Sequence, residues 1–495
     1  MNSQLSIFDV IYPKFKIDKP IRLIELFAGY GSQALALKYL NIPFEHWKIC
    51  EWAIKSIQAY KDIHFIDDTD YSKTLNKEQL QEFLFNKGIS SNYNEPMNRE
   101  QINRLNESNL RTIYNNIVAT HNMVNIQQVK GEDLEIVDTD KYCYIMCYSF
   151  PCQDLSLAGK GKGMSDTSTR SGMLWEVERI LTECENKPQV LLMENVPQVH
   201  GEGNTEDFNK WQLRLEELGY KNYWEDLIAT DYGIPQTRNR CFMVSILGDY
   251  SYSFPPKQEL KLKLKDLLED AVDEKYYLSD KMINFFIHNQ EKQKENGNGF
   301  RFNVSDGNVI AKTITTNAGS RMDDNFIINK GLKETLEQNE IKDTCYIDTY
   351  NKKIDKEKSG TITTGVNFRN NTFLAIKNAT KNNISPTLDT RCDCLGVVTL
   401  GNYSPSNHNA SRIVDQNYSA PTVMENHGTL TATQTSDLRI RKLTPKECFR
   451  LMGVKDEDYE KCAKNQSNAS LYHLAGDSIV VNVLMAIFKE MLWIS

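Results

Sequence analysis

The feature that most narrows what this chain can fold into is an apolar run that ends on two closely spaced glycines and passes at once into a helix. Ile21-Arg22-Leu23-Ile24-Glu25-Leu26-Phe27 is extended and apolar, Gly29 and Gly31 follow, and Ala34 to Leu40 consists of good helix formers. Strand, glycine-rich turn and helix in that order open a doubly wound α/β domain. A second strand is expected at His46 to Cys50, ending on Glu51. The alternation resumes with strands near 142–149, 189–193 and 241–246, separated by helices such as Leu174 to Cys184 and Trp211 to Leu218. Between them, from Asp67 to Gln128, the chain is polar with helical stretches such as Lys77 to Leu84, and reads as a helical insertion on the scaffold.

At 495 residues the chain exceeds one ordinary core. Residues 1–20 read as an N-terminal extension, 21–254 as the α/β domain and 255–437 as a second domain. From about 300 the second is dominated by Thr, Asn, Ile and Gly, the composition of short strands and turns. A ragged repeat runs through it: Lys312 to Thr316, Gly360 to Thr364, Pro386 to Thr390 and Pro421 to Val423. Three copies precede a second apolar run, at Asn325 to Ile328, Thr372 to Ile376 and Leu395 to Val398. Uneven spacing predicts β-hairpins, not a solenoid. Residues 438–495 return to the first domain. There Thr444 reads as an N-cap before Pro445, Gly453 follows the last turn, and Ile479 to Trp493 forms a final apolar helix.

No apolar run approaches the roughly 20 residues of a membrane span, and the first residues lack the pattern of a signal peptide, so a cytoplasmic protein is expected. The eleven cysteines have no Cys-x-x-Cys pair, which predicts reduced thiols and no structural zinc or other metal. A net charge of −8 disfavours a protein that coats nucleic acid non-specifically. The segment from 251 to 440 nevertheless carries equal numbers of basic and acidic residues, and a sequence-reading module there would not repel phosphates.

Four candidate site elements fall at predicted strand ends on one side of the sheet, where open α/β sheets bind ligands. The first is Phe27-Ala28-Gly29-Tyr30-Gly31, whose glycines let backbone approach a ligand. With it goes Glu51, placed to grip a ribose diol, and Trp52 beside it as a stacking surface. The turn is too short for the three-glycine dinucleotide fingerprint, which favours a ligand without a pyrophosphate. The second is Phe150-Pro151-Cys152-Gln153, a thiol behind a proline that breaks the strand. The third is Met193-Glu194-Asn195-Val196-Pro197, whose glutamate is either a proton donor with a raised pKa or a solvated loop acid. The fourth is Gln236-Thr237-Arg238-Asn239-Arg240, with two arginines on one face, able to hold an anion or a carbonyl oxygen, or to form a salt-bridge pair.

In their order and residues these stretches, with the Leu443-Thr444-Pro445 helix and Gly476-Asp477-Ser478-Ile479-Val480, resemble the DNA (cytosine-5)-methyltransferases of bacterial and phage restriction-modification type. The resemblance covers roughly 21–250 and 439–493. It implies a Rossmann-like S-adenosylmethionine-dependent methyltransferase domain with a smaller, β-rich target recognition domain at 255–437. It also implies the chemistry. Cys152 adds to carbon 6 of a flipped-out cytosine, Glu194 contacts ring N3 and the exocyclic amine, and Arg240, supported by Arg238, holds O2. Carbon 5 then takes the methyl group, and loss of its proton expels the thiol.

The cofactor pocket implied by the resemblance comprises Phe27, Gly29, Gly31, Glu51, Trp52, Pro151, Asp477 and Ser478, with Glu132 or Asp133 at the adenine. The implied DNA contacts are Gln153 and Ser156, then Lys160 and Lys162 in the mobile basic loop Gly159 to Gly163, and Arg170 after it. Two departures stand out. Gly476-Asp477-Ser478 replaces the usual Gly-Asn-Ser, and the insertion before Gly131 is long, resembling a subgroup that includes CpG-methylating enzymes. Amides and arginines for the DNA major groove are expected from Val366 to Asn371 and His408 to Arg412.

The expected partner is double-stranded DNA, with a cognate restriction endonuclease acting separately, protection from restriction as the role, and a monomer as the working state. RNA cytosine-5 methylation on the same scaffold is the alternative, which the large β-rich insert disfavours. A non-catalytic DNA-binding regulator would not need Cys152, Glu194 and Arg240. Methylation of an exocyclic amine would call for an Asp/Asn-Pro-Pro-aromatic tetrad, and the only Pro-Pro is Phe254-Pro255-Pro256-Lys257.

Overall fold

The computed structural model describes residues 12–151, 171–295, 301–328 and 440–492, and between these the strands at 344–348, 353–355, 373–376, 396–402 and 412–419. Cys152, Gln153, Ser156, Lys160, Lys162 and Arg170, and the stretches 366–371 and 408–411, lie outside the described residues.

The scaffold begins as its sequence pattern dictates. Strand β1 (Ile21–Leu26) leads through the glycine turn into helix α1 (Ser32–Tyr39), then β2 (Phe44–Cys50) and α2 (Ile54–His64). The insertion follows as α3 (Lys77–Lys87), α4 (Arg99–Asn103) and α5 (Glu107–Ala119). After it come β3 (Cys143–Tyr148), α6 (Leu174–Glu183), β4 (Val190–Asn195), α7 (Thr205–Glu217), β5 (Tyr220–Ile228) and β6 (Asn239–Leu247). The six strands form one sheet in the order β2-β1-β3-β4-β6-β5. The first four are parallel, while β6 runs antiparallel to both β4 and β5. Because β6 is reversed, its first residues lie beside the carboxyl end of β4, with Asn195 opposite Cys241 and Glu194 opposite Phe242. That reversal brings the arginine motif to the same sheet edge as the glutamate and the Phe150-Pro151 turn.

Period-two alternation sorts the sheet's side chains into two cores. Leu23, Ile145, Leu192 and Val244 face one side, packed with Leu35, Phe449, Leu484 and Phe488. Ile24, Met146, Leu191 and Met243 face the other, with Leu174, Val177 and Trp211. The insertion has a core of its own, built from Leu80, Leu84, Ile102, Leu110, Ile113 and Ile117.

After α8 (Asp280–Glu295), the short strand β7 (Val304–Ser305) pairs parallel with β8 (Phe326–Ile328). The chain divides into two compact units, 1–327 with 442–495, and 328–441. Residues 255–327, expected in the second domain, belong to the first unit, and the reason is packing. Leu264, Ala311, Ile314 and Ile327 are buried in the same cluster as Leu443 and Phe449. The first repeat copy, Lys312 to Thr316, forms no strand. Instead Ile314 N donates to Gln236 Oε1 at 3.0 Å. The second unit contains β9 (Thr344–Asp348) between β10 (Lys353–Asp355) and β11 (Phe373–Ile376), all antiparallel, and the antiparallel pair β12 (Gly396–Asn402) and β13 (Arg412–Ser419). All three apolar runs singled out in the sequence thus contribute to a strand.

The chain returns through β14 (Ile440–Lys442) to α9 (Pro445–Leu451), α10 (Asp456–Ala463), α11 (Asn468–Asp477) and α12 (Val481–Met491). Thr444 caps α9 in a capping box with Glu447. The run Asn468–Met491 is long and apolar enough to cross a membrane by length and composition, contrary to expectation, but 78% of its apolar window is buried within the fold.

Candidate active site

Two clusters of polar side chains meet at the carboxyl edge of the sheet. The first surrounds the glycine turn. Phe27 follows β1 with φ 58°, and its N–H donates to Cys50 O at 2.8 Å, which folds the turn over the end of β2. Gly29 N donates to Glu51 Oε2 at 2.9 Å and Ala53 N to Oε1 at 2.7 Å. Asn122, at the end of the insertion, clamps the Glu51 backbone from both sides, at 3.0 and 2.9 Å. Glu51 is buried, and desolvation, only partly offset by these backbone donors, pushes its carboxyl up to about 7.

The two glycines differ in what surrounds them. A Cβ on Gly29 would meet no atom within 4 Å, so this backbone borders open space, whereas one on Gly31 would lie 2.5 Å from His64 Nε2. Gly31, at φ 82°, is therefore a packing glycine, and Gly29 the one that a ligand can approach. Trp52 is half-buried and packs against the insertion core. Glu132 and Asp133 are both exposed, but only Asp133 is oriented, its Oδ2 accepting from Lys130 N at 2.8 Å. Asp133 also lines a groove of about 630 Å³ with Trp47, Asn122 and Met123, whereas Glu132 faces Lys130 Nζ at 3.4 Å. That groove does not include Gly29 or Glu51, so it adjoins the glycine turn without being the space beside it.

The second cluster lies at the ends of β3, β4 and β6. Glu194 is 5% exposed, its Oε1 3.1 Å from Arg240 Nε and its Oε2 accepting from Ser149 Oγ at 2.5 Å. Asn195 Nδ2 donates to Phe150 O at 2.9 Å. The turn that carries Pro151 is thereby tied to the strand that carries Glu194, immediately before the candidate thiol. Cys50, Cys143, Cys147, Cys184, Cys241, Cys448 and Cys462 are buried, and burial pushes each of their thiols up, so none of these is suited to act as nucleophile.

Arg238 and Arg240 lie two apart on β6 and its approach, yet they do different things. Arg240 faces Glu194, and its NH1 donates to Asn239 O at 2.7 Å. Arg238 is buried and turns to the C-terminal segment, donating to Ile314 O, Gly476 O and Ser478 O at 3.3, 3.2 and 2.6 Å. Burial, with Arg240 adding repulsion, lowers its pKa to about 9. Gln236 is likewise a tie, its Nε2 donating to Leu451 O at 2.8 Å.

Arg238 holds the α11–α12 break against the site, and so positions Asp477 and Ser478. Ser478 accepts from Tyr30 OH at 2.8 Å and fastens this break to the glycine turn. Asp477 follows Gly476, whose carbonyl Arg238 holds, in the break that Ser478 fastens to Tyr30. Desolvation, opposed by Arg238 and assisted by Glu194, raises its carboxyl to about 6. The side chain is nonetheless exposed. Asp477 thus lines a cleft enclosed by protein but open to solvent, and solvent moderates the shift without reversing it.

Ser149, Asn195, Asn122 and Ser478's partner Tyr30 complete the site, and the sequence singled out none of them for these contacts. Ser149 flanks a named motif and Asn195 lies within one, so proximity to the motif residues was the only available signal. Asn122 gave none, since its partner is 71 residues away. Elsewhere among the described residues, ligand atoms of His200, Asp226 and Cys241 lie within 4.8 Å of one another, with His200 Nε2 2.9 Å from Asp226 Oδ1.

Comparison with known proteins supplies the context. The family model of C-5 cytosine-specific DNA methylases matches residues 101–493. Type II methyltransferase M2.ScrFI of Lactococcus lactis subsp. cremoris is 31% identical over 475 residues, 95% of this chain and 99% of that protein. Orphan methyltransferase M.SssI of Spiroplasma monobiae is 36% identical over 289 residues, 57% of this chain and 72% of that protein. In fold, the chain is similar to the S. pombe Dnmt2 methyltransferase, with a TM-score of 0.52 at 14% identity over 96% of this chain and 98% of that one.

Proposed function

Because this chain belongs to the C-5 cytosine-specific DNA methylases, an S-adenosylmethionine-dependent family, we propose a division of labour among the residues of its cleft. The chain is a DNA (cytosine-5)-methyltransferase. Its substrate carbon is a poor nucleophile until a thiolate adds to the neighbouring ring carbon, which calls for a thiol and a group that relieves charge on the ring. Cys152, next along the chain from the Pro151 turn, is the nucleophile in this reading. Glu194 contacts N3 and the exocyclic amine, and Arg240 holds O2.

The observation that carries the reading is the pairing of buried Glu194 with Arg240 and Ser149 beside the Phe150 carbonyl fixed by Asn195. A carboxylate and a guanidinium held side by side match the donor and acceptor edge of cytosine. Ser149 and Asn195 orient that pair and the turn. Arg238 acts as a positioning residue, through Gly476 and Ser478.

The residues of the first cluster fit a nucleoside sulfonium. Gly29 borders open space, Glu51 sits at the end of β2 with its carboxylate fixed, and Phe27 offers a ring at the turn. Phe27, Gly29, Glu51, Trp52, Asp133 and Asp477 would hold S-adenosylmethionine, which supplies an electrophilic methyl group when bound. Gly31, Pro151 and Ser478 shape the pocket rather than line it. A carboxylate near Phe27 and the sulfonium favours the cation.

Unit 328–441 is the target recognition domain in this reading, supported by its antiparallel strands and the family's organisation. The loop that follows Cys152 closes on DNA through Gln153, Ser156, Lys160, Lys162 and Arg170. The enzyme works as a cytoplasmic monomer on double-stranded DNA, which it protects from a separately acting endonuclease.

Duplexes carrying 5-fluorocytosine test the residue roles, since fluorine replaces the proton that must leave and the thiol adduct persists. With S-adenosylmethionine present, the wild-type protein is expected to form a denaturation-resistant complex, and Cys152→Ala none. An adduct that survives Cys152→Ala would overturn the assignment.

A further inference from the structure

Three side chains with metal-binding atoms converge where the chain turns away from Glu194. Pro197–His200 is a short 3-10 turn, held by hydrogen bonds from Val199 N to Val196 O at 3.0 Å and from Asn204 Nδ2 to Gln198 O at 2.8 Å. Thr205 Oγ1 donates to His200 O at 2.9 Å, so the backbone that carries His200 is fixed. The ring is fixed as well. It lies against Trp224 of β5, with centroids 4.7 Å apart and planes at 34°, and 6.1 Å from the ring of Phe208 on α7.

Asp226 on β5 and Cys241 on β6 are direct partners across the antiparallel pair, which puts their side chains side by side on one face of the sheet. His200 reaches over that face. Its Nε2 is 2.9 Å from Asp226 Oδ1, and one ligand atom from each of His200, Asp226 and Cys241 lies within 4.8 Å of the others. Bonds of about 2.0 Å to nitrogen and oxygen and about 2.3 Å to sulfur place the ligands of a tetrahedral zinc roughly 3.3 to 3.7 Å apart, so side-chain movements of about an ångström close the three atoms on one ion. Cys241 is buried, whereas the side chains of His200 and Asp226 keep 25% and 32% of their surface exposed, which gives an ion a way in. An imidazole, a carboxylate and a thiol together suit zinc, and do not suit magnesium or calcium, which take oxygen ligands.

We propose that His200, Asp226 and Cys241 bind one divalent cation of the zinc class, with water in the fourth position. On binding, the His200–Asp226 hydrogen bond is replaced by two bonds to the metal, the imidazole keeps its proton on Nδ1, and the Cys241 thiol releases its proton to solvent as the metal–sulfur bond forms. The ion joins the turn after β4 to both β5 and β6. Cys241 stands opposite Asn195, whose amide holds the Phe150 carbonyl, so the metal braces the strand end that carries Glu194. Period two turns Cys241 to the opposite face of the sheet from Arg240, and Asn195 to the opposite face from Glu194, so the ion does not compete with the Glu194–Arg240 pair. The ligands are spread from 200 to 241 over three elements, which is why cysteine spacing alone predicts no metal.

The test uses the full-length protein, stripped of metal with a chelator and titrated with cobalt(II), which reports a thiolate ligand by near-ultraviolet charge-transfer absorption and a tetrahedral site by its visible bands. Wild type is expected to show both signals, and zinc to abolish them by displacing the cobalt. Cys241→Ser should lose the charge-transfer band. His200→Ala and Asp226→Asn should keep the thiolate and weaken cobalt binding by roughly a hundredfold. Zinc should raise the melting temperature of wild type and leave that of the three variants unchanged. Circular dichroism without metal checks the fold of each variant, and Asp226→Asn, at a partly exposed position, keeps the test open if the buried Cys241→Ser does not fold. A wild-type protein without the charge-transfer band would overturn the proposal. So would a band that survives Cys241→Ser, or cobalt binding that Asp226→Asn leaves unchanged, either of which places the metal on other residues.

Discussion

Glu25 and Glu51 flank the glycine turn, and burial treats them alike while their roles differ. Glu25 accepts from Tyr60 OH at 2.5 Å and Ala34 N at 3.3 Å, and desolvation outweighs both bonds to raise its carboxyl from 4.5 to about 7. Between those values the folded chain keeps a proton that the unfolded chain has lost. This contribution to stability is therefore complete below pH 4.5 and is lost as pH rises through 7. Glu25→Gln mimics the protonated form and should stabilise the protein by about 2 kcal/mol at pH 8 and by little at pH 5, measured by urea denaturation. The comparison must be wild type against variant, because His46 and His64, kept neutral by burial, tilt the total pH dependence the other way. Within the Glu194 cluster, Glu194→Gln and Arg240→Ala should each reduce methyl transfer by roughly a hundredfold or more while leaving the fold intact. Arg238→Met should instead unfold the protein more easily, by about 3 kcal/mol, because three carbonyls lose their donor. Arg238→Lys should not restore it, since an ammonium cannot span the three as the guanidinium fork does. Equal effects of Arg238 and Arg240 variants on stability would contradict this split.

At the scale of elements, the site depends on how the C-terminal segment docks. A Cβ on Gly476 would lie 2.3 Å from the Thr315 carbonyl carbon and the Thr316 nitrogen, both backbone. Gly476→Ala must therefore push the 311–318 segment away or unseat the end of α11. A fall of several degrees in melting temperature is expected, with loss of cofactor binding through Asp477. Gly203→Ala, with no atom within 4 Å of its added Cβ, should leave the melting temperature unchanged and serves as the control. This contact was invisible in the sequence, as it joins residues some 160 apart. The parallel strands β1, β3 and β4 were legible because both faces are buried and the runs are unbroken, as in Cys143–Tyr148. Strand Tyr220–Ile228 was not, because it is a half-exposed edge strand whose polar residues hide the alternation. The arginine motif was read as one functional pair for a similar reason. Period two puts Arg238 and Arg240 on one face, but only the docked C-terminal carbonyls decide that one of them is a structural tie.

For the whole molecule, the sequence carried the α/β scaffold and the edge at which the site forms, since each of the four site elements ends or follows a strand or leads into the reversed one. The domain boundary was less legible. Proline-rich 253–256 marks a change of composition, whereas compactness is set by which residues reach the common core, and Leu264, Ala311 and Ile314 do. This assembly is expected to methylate carbon 5 of cytosine in duplex DNA through Cys152. Bisulfite conversion sequencing tests it most directly, on duplex DNA of many sequence contexts and on RNA, each exposed to the protein with S-adenosylmethionine, and with Cys152→Ala in parallel. Protection of cytosines within one short DNA motif, abolished by Cys152→Ala, is the predicted result. Protection confined to RNA, or protection of DNA that survives Cys152→Ala, would contradict it.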